Sequence, residues 1–273
     1  MKIGYVQFEP RFGEVERNVE HALSLIEAKQ AELWVLPELF STGYQFTSRG
    51  EVRELAEPVP EGRTTQALIA WAQKQRCYIA AGLAELASER VFNSAVLVGP
   101  EGLVLLYRKA HLFYREKEWF SLGDTPFPVA EAGGVKVGLL ICFDHLFPEA
   151  ARSLALKGVQ VIAHPANLVL PGLAQLTMRV RALENRVFTV TANRVGEETR
   201  AGETLKFTGE SQIVSPRGEI LARSGPEEEA AQVVDVDPEE ALNKRLTPYN
   251  DLLADRRVDL YTLGGQVGKD AKA

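Results

Sequence analysis

Val135-Lys-Val-Gly-Leu-Leu-Ile-Cys142-Phe-Asp-His-Leu-Phe-Pro148-Glu-Ala-Ala-Arg-Ser-Leu-Ala-Leu-Lys-Gly158 is the stretch whose reading decides the fold. Its first part is apolar and predicts a buried strand ending at Cys142. Its second part predicts a helix, with Pro148 in the first turn and Gly158 at the stop. Cys142 therefore falls at a strand-to-helix turn, near the C-terminal edge of a sheet. Ligands collect at that edge in open α/β sheets. Backbone N–H groups around such a turn can stabilise a sulfur anion that substrate can reach.

Working outward, strand-like and helix-like runs alternate. Residues 2–8 read as a strand. Residues 14–30 place Val15, Val19, Ala22, Leu23 and Ile26 on one face at helical spacing. Leu33-Trp-Val-Leu-Pro37 is a short buried strand, and Thr64 and Thr65 are set to cap a helix carrying Leu68, Trp71 and Ala72. Cys77–Leu83 reads as a strand, and Gly99-Pro-Glu-Gly102 as the turn of a hairpin between 91–98 and 103–108. Beyond the Cys142 stretch come a strand at 159–163 and an amphipathic helix marked by Leu173, Leu176, Val180 and Leu183. A strand at 187–191, a second hairpin around Ser215-Pro-Arg-Gly218 and a last strand at 231–236 follow. Hairpins mixed with βα units predict mixed sheets covered by helices, not a purely parallel sheet. No linker composition divides the chain. The expectation is one α/β domain over 1–261 and a flexible polar tail over 262–273.

The bulk composition narrows the functional classes. With 45% hydrophobic and 25% charged residues, the 273-residue chain is built like an ordinary globular protein. Its net charge of −6 gives no support to nucleic-acid binding, which uses a basic face. Two cysteines, Cys77 and Cys142, make no disulfide framework and suit a reducing cytoplasm. The first strand is too short for the apolar region of a signal peptide, and no apolar run approaches membrane-spanning length.

Three segments put reactive groups at predicted strand ends: Pro37-Glu38-Leu-Phe, Tyr107-Arg-Lys109-Ala-His-Leu-Phe113 and Ile141-Cys142-Phe-Asp. A carboxylate can accept a thiol proton, and an ammonium can hold a developing oxyanion. Taken singly, each has a plainer reading. Glu38 would be solvated surface, Lys109 part of an exposed basic face with Arg108, and Cys142 a small buried hydrophobe. Cys77 reads as core. A Gly-x-Ser-x-Gly elbow, a Walker loop and a Gly-x-Gly-x-x-Gly fingerprint are missing. Cys142, His145 and His164 lack the spacing of a zinc motif, so neither metal nor organic cofactor is expected.

Together the three segments resemble the nitrilase superfamily of carbon–nitrogen hydrolases. The motifs are Leu-Pro-Glu38-Leu, Tyr-Arg-Lys109-Ala-His-Leu and Gly-Leu-Leu-Ile-Cys142-Phe-Asp-His-Leu-Phe-Pro-Glu149. The likeness extends through Arg179–Asn185, Thr191-Ala-Asn193-Arg and Asp255–Tyr261. It implies an α/β fold, a four-layer αββα sandwich of two mixed sheets, and a homodimer or larger homo-oligomer. It implies Cys142 as nucleophile, Glu38 as general base, and Lys109 with the Phe143 backbone N–H as oxyanion donors. A further glutamate that positions the lysine is matched by Glu116, with Glu118 competing. Tyr44, Phe113, Tyr114, His145 and Asn167 are candidate pocket residues, and His111 is expected to be structural.

The implied substrate is a small amide, with no nucleic-acid or membrane partner. Cys142-Phe143-Asp144 resembles the amidase and carbamoylase branches more than typical nitrilases, which carry Cys-Trp-Glu. A nitrilase acting on small nitriles and an N-carbamoyl amidohydrolase remain the alternatives, followed by acyl transfer and a non-catalytic relic. Leu146 stands where many carbamoylases have an arginine that can grip a substrate carboxylate. An apolar side chain cannot make that bidentate contact, so the far end of the substrate is expected to be neutral.

Overall fold

The computed structural model describes residues 1–262. They divide into a unit spanning Met1–Asn243 and a second unit that begins at Lys244. The first unit is built on two six-stranded sheets. One contains β1 (Lys2–Gln7), β2 (Leu33–Val35), β3 (Tyr78–Ala87), β4 (Arg90–Gly99) and β5 (Gly102–Arg108). The other contains β6 (Val129–Ala132), β7 (Val135–Leu139), β8 (Val161–Pro165) and β9 (Phe188–Ala192). After a separate hairpin of β10 (Glu197–Arg200) and β11 (Glu203–Lys206), β12 (Gln212–Val214) and β13 (Ile220–Arg223) extend the second sheet. The strand β14 (Ala230–Asp235) returns to the first. The sheet orders are β14-β1-β2-β3-β4-β5 and β13-β12-β9-β8-β7-β6. In each, three central strands run parallel and the flanking pairs are antiparallel.

Two-residue periodicity makes this a sandwich. Ile3, Tyr5, Leu33 and Val35 share one cluster with Val137, Leu139, Val161 and Val190 of the other sheet. The intervening Trp34 and Leu36 face the other way, toward Val19 and Ala22 of α1 (Val15–Ser24) and Leu68 and Ala72 of α3 (Arg63–Gln75). The short α2 (Arg49–Leu55) precedes α3, and a single turn, α4 (Glu116–Trp119), follows β5. On the far side, Leu140, Ile162 and Val187 pack on α5 (Pro148–Leu156) and on Met178 of α6 (Leu173–Asn185). Strands covered on both faces read as continuous apolar runs, as 33–36 does. The four-layer αββα expectation holds.

Three local readings need correction. The helix beginning at Arg63 is not capped by Thr64 or Thr65. The buried Glu57 carboxylate accepts from both of their backbone N–H groups, at 3.0 Å each, and satisfies the helix start from outside. The helix expected over 14–30 ends at Ser24. In α6 the helical period is right but the buried face differs. Ala174, Met178 and Ala182 are buried, whereas Leu176, Val180 and Leu183 are 60%, 40% and 46% exposed. Small residues let the helix lie close to its sheet, which turns the larger apolar stripe outward.

The second unit carries its own short antiparallel pair, β15 (Arg245–Thr247) with β16 (Asn250–Asp251). The tail expected over 262–273 lies, beyond residue 262, outside the described residues.

Candidate active site

The cysteine turn is assembled from the sequence quoted first. The ladder of β7 ends at Leu139. Ile141 stays extended, and Cys142–Leu146 forms a tight 3-10 turn before Pro148 starts α5. Cys142 takes φ +41°, a backbone conformation that non-glycine residues rarely hold without outside support. The support comes from two buried side chains. Asp144 accepts from the Ile141 N–H at 2.9 Å, and His164 of β8 sits 2.9 Å from the Cys142 carbonyl through Nε2. Burial pushes the His164 pKa down to about 4, so the ring is neutral and Nε2–H donates to that carbonyl. A trans peptide is planar, so fixing the carbonyl directs the Phe143 N–H the opposite way.

Asp144 also ties this turn to the lysine segment. Its carboxylate accepts from the Tyr107 hydroxyl at 2.9 Å and the His111 N–H at 3.2 Å, and pairs with His111 Nδ1 at 2.7 Å. His111 is therefore a structural residue, as expected. Lys109, just past β5, is fully buried, while Arg108 turns the other way to Glu85 and Asp124. The plain reading of Lys109 as exposed surface fails because consecutive residues of an extended chain face opposite sides.

Glu38 also belies its plain reading and is fully buried. Its turn is clasped by β3: the Gly82 N–H donates to the Pro37 carbonyl, and the Gly82 carbonyl accepts from the Phe40 N–H. A Cβ at Gly82 would lie 2.5 Å from Glu38 Cα, so this position needs glycine for close backbone approach. Lys109 Nζ donates to Glu38 Oε1 at 2.6 Å and to Glu116 Oε1 at 2.9 Å. Asn93 Nδ2 also donates to Glu38 Oε1, at 2.7 Å. Glu38 Oε2 is buried and takes no hydrogen bond from the described residues. Glu116, not Glu118, is the lysine's second partner; Glu118 pairs with Arg115 at the surface.

The thiol joins this group through Asn167. Asn167 Nδ2 donates to the Glu38 carbonyl at 2.9 Å, and the Asn167 carbonyl lies 3.8 Å from Cys142 Sγ as acceptor. Burial, then the charge of Glu38, raises the Cys142 pKa well above a thiol's ordinary value, with Lys109 acting in opposition. The resting sulfur is thus a thiol and needs a base to attack. Burial works against the Lys109 ammonium, but Glu116 and Glu38 outweigh it and hold the pKa above lysine's usual range. Burial also raises Glu116, with Lys109 partly offsetting it.

Of the candidate pocket residues, Phe113, His145 and Asn167 line one cleft with Cys142, Phe143 and Leu146. Tyr44 lines a different cleft beside Glu116. Its hydroxyl donates to Glu116 Oε1 at 2.8 Å, which links it through that carboxylate to Lys109. The loop that carries Tyr44 is itself anchored. Glu198 accepts from the Tyr44 and Gln45 N–H groups and is ion-paired with the buried Arg194. Tyr114 is 56% exposed. Sequence reasoning missed Asn93, Asp144 and His164. A polar residue inside the apolar run Val91–Val98 was the available signal for Asn93.

A strained thiol turn beside a buried Glu–Lys–Glu chain defines the protein's class. The chain belongs to the carbon-nitrogen hydrolase family, whose sequence pattern matches residues 2–245. Within it, the chain is 50% identical over 264 residues to a nitrilase of Pyrococcus abyssi, covering 96% of this chain and 99% of that protein. It is 38% identical over 265 residues to an (R)-stereoselective amidase of Pseudomonas sp., covering 95% and 93%. A glutamate-to-glutamine variant of the amidase from Nesterenkonia sp. AN1 superposes with a TM-score of 0.78 at 27% identity, covering 95% of this chain and 98% of that one. That structure shows acrylamide added to the active-site cysteine. The protein is accordingly a carbon–nitrogen hydrolase of the nitrilase superfamily.

Proposed function

We propose that this protein hydrolyses a small, neutral amide through a thioester on Cys142. The observation that carries the reading is the buried Glu38 carboxylate. One oxygen is pinned by Lys109 and Asn93, and the other has no partner among the described residues, in a group tied through Asn167 to the thiol. Cys142 Sγ adds to the amide carbonyl carbon as Glu38 takes the thiol proton. Lys109 and the Phe143 N–H hold the oxyanion, each such donor contributing about 2.7–4 kcal/mol to lowering the barrier. The adduct collapses, and the departing nitrogen takes the proton from Glu38 and leaves as ammonia or an amine. Glu38 then removes a proton from water, which attacks the thioester and frees the acid and the thiol. Glu116 and Tyr44 keep the Lys109 ammonium charged and in place.

The narrow cleft and its largely apolar lining suit a small acyl group, and Leu146 lies on its wall. Released ammonia should therefore be higher for a simple aliphatic amide than for a nitrile or an N-carbamoyl amino acid, compared as kcat/KM. A clear preference for the carbamoyl acid would overturn the neutral-substrate reading, and turnover of nitriles alone would make the protein a nitrilase.

The working form is proposed to be a homodimer or larger homo-oligomer, in keeping with the family resemblance. The exposed stripe Leu176, Val180 and Leu183 on α6, with Leu156 of α5 also 51% exposed, offers the covering face. Sedimentation should give at least a dimer, and Val180→Glu should shift it toward monomer; a wild-type monomer would refute this. The two cysteines are free and buried, which suits the cytoplasm. Among the described residues no helix is long and apolar enough to cross a membrane.

A further inference from the structure

His145 is the one imidazole on the wall of the Cys142 cleft and is only 4% exposed. Its proton can be placed. Thr177 of α6 brings its hydroxyl within 3.0 Å of the Leu173 carbonyl and 3.3 Å of the Ala174 carbonyl. A threonine within a helix gives its single hydroxyl proton to such a carbonyl. Turning that proton toward the imidazole would leave oxygen lone pairs facing two carbonyl oxygens. The Thr177 Oγ1 therefore meets His145 as an acceptor, and Nδ1, 2.6 Å away, carries the hydrogen. Burial, reinforced by His164, pushes the His145 pKa down to about 3, so the ring holds only that one proton at neutral pH. Nε2 is then a bare lone pair, and among the described residues no protein donor reaches it.

A lone pair on a cleft wall takes its hydrogen from whatever fills the cleft, water or substrate. The cleft's other polar side chains are Cys142 and Asn167, whose donors are already directed to the Asn167 and Glu38 carbonyls; the rest of the lining, including Phe113, Phe143, Leu146 and Leu168, is apolar.

We propose that His145 Nε2 accepts a hydrogen bond from a hydroxyl or amide N–H on the acyl part of the substrate. This rests on the amidase reading and narrows it to neutral amides that carry a second, donor-bearing polar group. An ammonium group fits less well, because no carboxylate lines the cleft to balance its charge. A substrate carboxylate is excluded on the same wall, since it would meet a lone pair. His145 is thus a specificity-determining residue, and the peptide carbonyl it presents to Arg181 Nε at 3.1 Å fixes its backbone.

The test uses the Cys142→Ala variant, which binds without turning over, and two isosteric pairs. These are 2-hydroxypropanamide with 2-methylpropanamide, and 3-hydroxypropanamide with butanamide. In at least one pair the hydroxy amide should bind about five- to tenfold more tightly. The preference should fall to near unity in the Cys142→Ala/His145→Phe double variant. Nitrogen NMR of histidine-labelled Cys142→Ala protein should show Nδ1 protonated and Nε2 bare. The Nε2 resonance should move with the preferred hydroxy amide and stay put with its isostere. A proton on Nε2, or equal or absent binding in both pairs, overturns the proposal. Ammonia release by the wild type is measured in parallel. If the wild type leaves all four amides intact, the amidase reading fails, and the binding and tautomer results still decide the role of His145.

Discussion

Cys142→Ala is expected to lower amide turnover by roughly 10⁴-fold or more, with the folded structure intact. The size follows from the chemistry. Without sulfur there is no thioester route, and what remains is oxyanion stabilisation and binding around a substrate that only water can attack. The fold should tolerate the change because, among the described residues, the sulfur's one hydrogen-bond partner is the Asn167 carbonyl, at a long 3.8 Å. The turn itself is held by backbone and side-chain contacts from Asp144 and His164. Alanine keeps a Cβ, so the strain at φ +41° is unchanged. Ammonia release and thermal unfolding, measured side by side, check both halves. A variant retaining near wild-type rates would remove Cys142 from the mechanism. A variant that fails to fold would mean that the turn depends on the sulfur.

Lys109→Met is expected to cost about 3–5 kcal/mol of stability as well as activity. Glu38 and Glu116 are both buried against this one ammonium, and methionine leaves both without a counter-charge. The pH dependence has a definite sign. Glu116 already has a folded-state pKa above its ordinary value, because burial outweighs the lysine's attraction. Such a carboxyl binds its proton more tightly in the folded state, so its contribution to stability grows as pH falls. Removing Lys109 takes away the opposing attraction and enlarges that shift. The stability deficit should therefore shrink as pH is lowered from about 8 toward 5, followed by urea unfolding. Adding Glu116→Gln should recover part of the loss at neutral pH. A deficit independent of pH, and untouched by the second change, would mean that the cost is one of packing alone.

How much of this was legible in the sequence depends on what each signal measures. The Cys142 stretch could be read directly, because an apolar run, a proline and a glycine each restrict the backbone locally. Glu38, Lys109 and Glu116 were named by their motifs, but their burial was not. Arg108 and Lys109 look alike in a list of charges, and only the strand's alternation separates the partly exposed one, paired with Glu85 and Asp124, from the fully buried one. For α6, periodicity located the apolar stripe but not the side on which the sheet lies, and the small-residue face won. Asp144 holds the Ile141 N–H within its own turn, while His164 and Asn93 hold backbone or a carboxylate from a distant strand. Contacts at separations of 22 and 55 residues leave no local pattern to find. The hairpin of β10 and β11 escaped for a related reason: only one residue of its first strand, Glu198, is buried, and that residue is charged.

The central claim is that the acyl group of an amide passes through the sulfur of residue 142. The direct measurement is peptide mass mapping of wild-type protein quenched in acid while turning over an amide at saturation. The account predicts an acyl mass increment on the peptide containing Cys142, removed by hydroxylamine and absent from the Cys77 peptide. Steady release of acid and ammonia with the Cys142 peptide unmodified, or with the acyl group on another residue, would contradict it.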